Sequence, residues 1–83
     1  MVKWDEFIPH DFEYDLEKYK QAVRGVTFEE ARECFYSDYS VRLHKSYEDR
    51  YQLLGRTFTG CRLKIIFQLK PGNIVRIITG LQI

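Results

Sequence analysis

Three arginines, Arg50, Arg62 and Arg76, recur through the second half of the chain where strands are expected. A guanidinium is a planar fork of N–H donors that fits two phosphate oxygens at once. Neighbouring antiparallel strands bring such side chains onto one face within phosphate reach. Lys64 shares that pattern with them. The competing reading is that all four are the outward, solvated residues of a half-buried sheet. His44 is of a residue type suited to acid or base work, or is simply a surface residue of a loop. Lys18, Lys20 and Arg24 lie on or just after the first expected helix. They either complete a phosphate site or stand as exposed helix charges.

The charge distribution points the same way. The 83 residues carry 13 Lys and Arg against 12 Asp and Glu, a net charge of +1 that says nothing about a partner. Residues 1–39 hold five basic and ten acidic groups, net −5, and residues 40–83 hold eight basic and two acidic groups, net +6. An acidic front and a basic back fit a protein that meets a polyanion with one face.

Other chemistries find little support. His10, His44, Cys34 and Cys61 have no metal-ligand spacing, so no metal site and no cofactor is expected. There is no glycine-rich phosphate loop and no nucleophile elbow. Cys34 lies near the apolar edge of a helix and reads as core rather than nucleophile. The stretch from Met1 to Asp11 has scattered charges and no apolar run, unlike a signal peptide. No window approaches the roughly 18 apolar residues of a membrane span. Both cysteines are therefore expected as reduced thiols. Tyr36, Tyr39, Tyr47 and Tyr51 are scattered, and suit base stacking or a protein interface equally.

The elements that must position these residues form one small domain, 1–83, with residues 1–10 as an N-terminal arm. Trp4, Phe7 and Ile8 can pack, and Pro9 interrupts any regular element. Asp11 to Tyr14 is expected as a short edge strand. Asp15 then fits an N-cap, and Leu16, Tyr19, Ala22 and Val23 fall at helical spacing before Gly25, giving a first helix over about 16–24. Thr27-Phe28-Glu29-Glu30 reads as a capping box, opening a second helix that ends near Phe35 or Tyr36. After residue 40 the period changes to two. Strands are expected at Ser40–Leu43, Arg50–Leu54, Cys61–Leu69 and Ile74–Ile78, with Gly55–Gly60 as a loop. Lys70-Pro71-Gly72-Asn73 carries the signature of a type II turn. The expected architecture is α+β, with two N-terminal helices on one face of a three- to four-stranded antiparallel sheet.

The ordered residues resemble the BrnT-type toxins of prokaryotic type II toxin–antitoxin operons, small proteins with a RelE-like ribonuclease fold. The resemblance runs over about residues 12–80. Phe12-Glu13-Tyr14-Asp15 is similar to the family's opening Phe-x-Trp-Asp, with Lys18 at its usual lysine. Gly25 to Ala31 is similar to its Gly-Val-Ser-Phe-x-Glu-Ala signature, followed by Phe35 and Asp38. His44, Glu48, Asp49 and Arg50 fall where many members carry a His and then Glu-Glu-Arg. Gly55 ends the same strand, and Val75-Arg76-Ile77-Ile78-Thr79 is similar to Arg-Ile-Ile-Ser. Three features depart from the pattern. Arg24-Gly25 stands for His-Gly, and the helix before it is shorter than usual. Gly80-Leu81-Gln82-Ile83 stands where the family continues into Ala-Arg and a basic C-terminal helix.

The resemblance implies a metal-independent ribonuclease of the mRNA-interferase kind, cytoplasmic and neutralised by a cognate antitoxin. Arg50 and Arg76 would bind the scissile phosphate, and His44, Lys18 or Arg24 would assist proton transfer. Arg62, Lys64 and Lys20 would hold the RNA, and no membrane is involved. Homodimer and hetero-oligomer both remain open. The departure after Thr79 motivates a second reading, a catalytically inactive toxin-fold module that keeps antitoxin or partner binding.

Overall fold

The computed structural model describes residues 3–14, 26–46 and 48–83. Its elements are a 3-10 turn at Trp4–Glu6, then β1 (Asp11–Tyr14), α1 (Phe28–Cys34), β2 (Ser40–Leu43), β3 (Arg50–Arg56), β4 (Arg62–Lys70) and β5 (Ile74–Gln82). The strands form one sheet in the order β1-β5-β4-β3-β2. β2, β3, β4 and β5 are an antiparallel meander, and β1 runs parallel to β5.

The α+β class holds, with two corrections. The sheet is five-stranded and mixed, not three- to four-stranded and antiparallel. Among the described residues one α-helix packs on it, not two. The first expected helix, over 16–24, lies outside the described residues. The sheet differs for a physical reason. Asp11–Tyr14 alternates as a half-buried strand should, but alternation fixes neither the partner strand nor its direction. Here Phe12 and Tyr14 sit beside Val75 and Ile77 across the parallel pair, extending the buried surface of β5.

Period-two patterning builds the core. Leu63, Ile65 and Phe67 of β4 are fully buried, as are Leu53 of β3 and Val75 and Ile77 of β5. Helix α1 lies across β3, β4 and β5 and buries Ala31, Cys34 and the following Phe35 against them. Its start is the expected capping box: the Thr27 hydroxyl accepts the Glu30 amide at 3.1 Å, and the Glu30 carboxylate accepts the Thr27 amide at 3.0 Å. A Cβ at Gly55 would come within 3.0 Å of the Cys34 carbonyl, so the end of α1 approaches β3 closely only because glycine stands there. Burial, then the nearby Glu33 and Glu30, push the Cys34 thiol up to about 11, so it is a core group without thiolate chemistry.

The arm is part of the fold. Trp4 packs edge-on against Phe7, Tyr51 and Phe67, and its carbonyl accepts the Tyr39 hydroxyl at 2.7 Å. The His10 amide donates to the Asn73 carbonyl at 2.9 Å, tying the arm to the β4–β5 turn. In that turn Gly72 has φ +82°, as a type II turn requires, and Asn73 adds a second left-handed residue at φ 59°. One β-bulge interrupts the β4–β5 ladder, which passes from Ile66–Thr79 to Phe67–Ile77.

Candidate nucleic-acid interface

The face of the sheet turned away from α1 carries the residues that alternate with the core. On β4 these are Arg62, Lys64, Ile66, Gln68 and Lys70. The register then fixes what lies beside each. Arg50 pairs with Gln68, Gln68 with Arg76, and Arg76 with Glu13. The His44 amide donates to the Arg50 carbonyl at 2.9 Å, so His44 takes the next place in the same line. The result is a row of His44, Arg50, Gln68, Arg76 and Glu13 across the whole sheet, the near row. Adjacent strands lie about 4.8 Å apart, so Arg50 and Arg76 flank Gln68 at about 10 Å between backbones, within reach of one phosphodiester for two long side chains.

Carboxylates organise this row. Glu13 accepts from Lys70 at 2.6 Å and from Arg76 at 3.5 Å. The Lys70 hydrogen bond, reinforced by its charge and by Arg76, holds the Glu13 carboxyl below the ordinary carboxylate range, against a desolvation that works the other way. Asp49 accepts from the Gln68 amide at 2.6 Å. His44 Nδ1 accepts the Ser46 amide at 3.1 Å, which places the proton of the neutral ring on Nε2.

Beyond the near row the face changes character. Gln52, Ile66 and Thr79 form an uncharged middle, with Ile66 only 6% exposed, and Arg42 closes the same row on β2. Leu54, Lys64 and Leu81 come next, and then Arg56 opposite Arg62. The Ile83 amide donates to the Arg62 carbonyl at 3.2 Å, so the chain runs on beside that pair. From Gln68 to Arg62 is six positions of β4, about 20 Å at a strand's rise per residue. Arg50 and Arg76 therefore meet in one row, whereas Arg62 and Lys64 share their face and lie at its far end. Lys18, Lys20 and Arg24 lie outside the described residues.

Counted on the described strands, the face carries Arg42, Arg50, Arg56, Arg62, Lys64, Lys70 and Arg76 against Asp11 and Glu13, net +5. The other layer, made of the arm, α1 and the turn after it, carries Asp5, Glu6, Glu29, Glu30, Glu33 and Asp38 against Lys3 and Arg32, net −4. Among the described residues the two layers thus differ in charge, although Asp11 and Glu13 of the acidic front lie on the basic face. Of the tyrosines, Tyr39 and Tyr51 pack on the core, Tyr36 is exposed, and Tyr47 lies outside the described residues.

Sequence reasoning missed Glu13, Gln68, Asp49 and Arg56. Glu13 joins the row only through the parallel pairing, for which the sequence offers no local signal. Gly55 and Arg56 belong to β3 rather than to the expected Gly55–Gly60 loop, and the strand carries Arg56 onto the basic face. Among the described residues no group of three His, Cys, Asp or Glu side chains is placed to hold a metal ion. No protein-family model matches the chain, and no curated protein matches it.

Proposed function

We propose that this chain is a BrnT-like toxin: a metal-independent ribonuclease of the mRNA-interferase kind, acting through its basic sheet face and held inactive in the cytoplasm by a cognate antitoxin. The observation that carries the reading is the register, which puts Arg50 and Arg76 on either side of Gln68 in one row. RNA supplies its own nucleophile. The 2′-oxygen attacks phosphorus as its proton leaves to a base, the 5′-oxygen departs with a proton, and a 2′,3′-cyclic phosphate remains. What the protein must add is cation density on the phosphoryl oxygens and a route for two protons. Arg50 and Arg76 supply the first. Proton transfer falls to His44, Lys18 or Arg24. A phosphate that engages Arg76 takes the place of Glu13, whose carboxylate holds that guanidinium in the meantime. The test is growth arrest on induction together with decay of RNA by the purified protein, each repeated with Arg50→Ala and Arg76→Ala. Absence of both arrest and cleavage would remove the nuclease reading.

One observation favours the second reading, an inactive toxin-fold module that binds a partner. Glu13 already supplies an anion to Arg76 and Lys70, as a surface evolved only to bind would tolerate. That reading predicts copurification with a small antitoxin-like protein and no RNA decay.

A further inference from the structure

The far end of the basic face presents an arrangement that folding alone does not favour. Arg56 and Arg62 are directly opposed on β3 and β4, where like charges repel. Both are exposed. Among the described residues no carboxylate comes within 4.0 Å of Arg56, Arg62 or Lys64. Asp38 lines the adjacent hollow without reaching either arginine. The backbone that holds the pair is nevertheless firmly tied. Ser37 Oγ accepts the Arg56 amide at 3.1 Å while donating to the Cys34 carbonyl at 2.8 Å, joining β3 to the end of α1. The connecting turn is closed by Thr57 amide to Cys61 carbonyl at 2.9 Å and Cys61 amide to Thr57 hydroxyl at 3.1 Å. Glu33 fixes the same turn by accepting the Phe58 amide at 2.8 Å. The backbone thus sets two cations opposite each other on a rigid corner, with no ion-paired carboxylate among the described residues. Beside them lies a hollow of about 310 Å³, with Tyr39, Leu54 and Ile83 among its lining.

We propose that the Arg56–Arg62 pair is a second phosphate anchor, with the hollow taking an adjoining nucleobase, so that the face binds an extended single-stranded nucleic acid rather than one nucleotide. This deepens the ribonuclease reading and rests on it for the identity of the strand. The anchor lies six positions along β4 from Gln68, about 20 Å away, so it engages a phosphate several nucleotides from the one held by Arg50 and Arg76. The row of Gln52, Ile66 and Thr79, with Arg42 at its β2 end, lies between the two.

The test uses 5′-fluorescein-labelled oligodeoxythymidylates, three and eight nucleotides long, which lack the 2′-hydroxyl and report binding without cleavage. Fluorescence anisotropy is followed against salt for the wild type, the Arg56→Ala/Arg62→Ala double variant and Arg50→Ala. Each phosphate contact to a single strand contributes about 0.7 to the slope of log affinity against log salt. The double variant should lower the eight-mer slope by about 0.7, the share of the one phosphate the pair holds, bringing it to the slope of the three-mer, which is too short to reach both ends. Arg56→Lys/Arg62→Lys should restore most of the slope. An unchanged eight-mer slope in the double variant, with Arg50→Ala still lowering it, overturns the second anchor and leaves the ribonuclease reading standing. Absence of any wild-type binding to the eight-mer also overturns it. A lowered slope in a protein that cleaves no RNA upholds the anchor and removes the ribonuclease reading instead.

Discussion

The near row and the far end of the sheet face carry the same residue type in opposite electrostatic settings. Arg76 in the near row is held at 3.5 Å by Glu13, which also holds Lys70 at 2.6 Å. Arg56 and Arg62 at the far end face each other, and among the described residues no carboxylate pairs with either. A guanidinium steered by a carboxylate gives up part of its attraction for an incoming anion and gains a fixed direction. An unneutralised pair keeps its full field and, on binding, displaces the cations condensed on the nucleic acid. Geometry is what a reacting phosphate needs, and affinity is what a remote phosphate can supply. The contrast within one face therefore separates positioning from holding.

Substitutions can break that contrast at either end. The largest effect is expected at the near row. Arg76→Ala should lower the RNA cleavage rate by about a hundredfold, the scale of losing one donor to a charged transition state, in a protein that circular dichroism still shows to be folded. Arg56→Ala/Arg62→Ala should weaken binding of long strands by about tenfold at low salt, while cleavage of a dinucleotide substrate stays as it was. If dinucleotide cleavage falls with it, the two ends are not separate. Thr27→Ala removes the helix cap at 3.1 Å and should cost about 1 kcal/mol, seen as a lower Tm. Neither salt slope should move, since α1 lies on the other layer.

The smallest effect sharpens the near row itself. The Glu13 carboxyl titrates below the ordinary range in the folded protein. Its contribution to stability is therefore present above the ordinary glutamate pKa of about 4.3 and is lost as pH falls through and below it. Denaturant unfolding of the wild type should weaken more steeply over that acidic window than unfolding of Glu13→Gln. The same variant should bind RNA slightly more tightly at neutral pH, because the carboxylate no longer competes for Arg76 and Lys70. Weaker binding would mean that the carboxylate only orients and does not compete.

Local features of the fold were legible in the sequence, and non-local ones were not. Thr27 to Glu30 specified the capping box within four residues, and Lys70 to Asn73 specified the β4–β5 turn. The period of two over Cys61–Leu69 specified β4, because that alternation is written in the strand itself. The parallel β1–β5 pair was not legible. Its partners, such as Glu13 and Arg76, are brought together by everything between them, and Asp11–Tyr14 is too short to specify a neighbour. The bulge that leaves Ile78 outside the ladder was hidden by a run of β-branched residues that fits either register. The site divided in the same way. Arg50 and Arg76 could be named as strand cations, whereas Glu13 and the separation of Arg62 from the near row follow only from register.

The most direct test of the central claim is incubation of purified wild type and Arg76→Ala with a 5′-labelled RNA in the presence of a metal chelator. The fragment ends are then identified by mass. The account predicts fragments ending in 2′,3′-cyclic phosphate from the wild type and about a hundredfold slower cleavage by the variant. Intact RNA with the wild type, or equal rates for the two proteins, would contradict it.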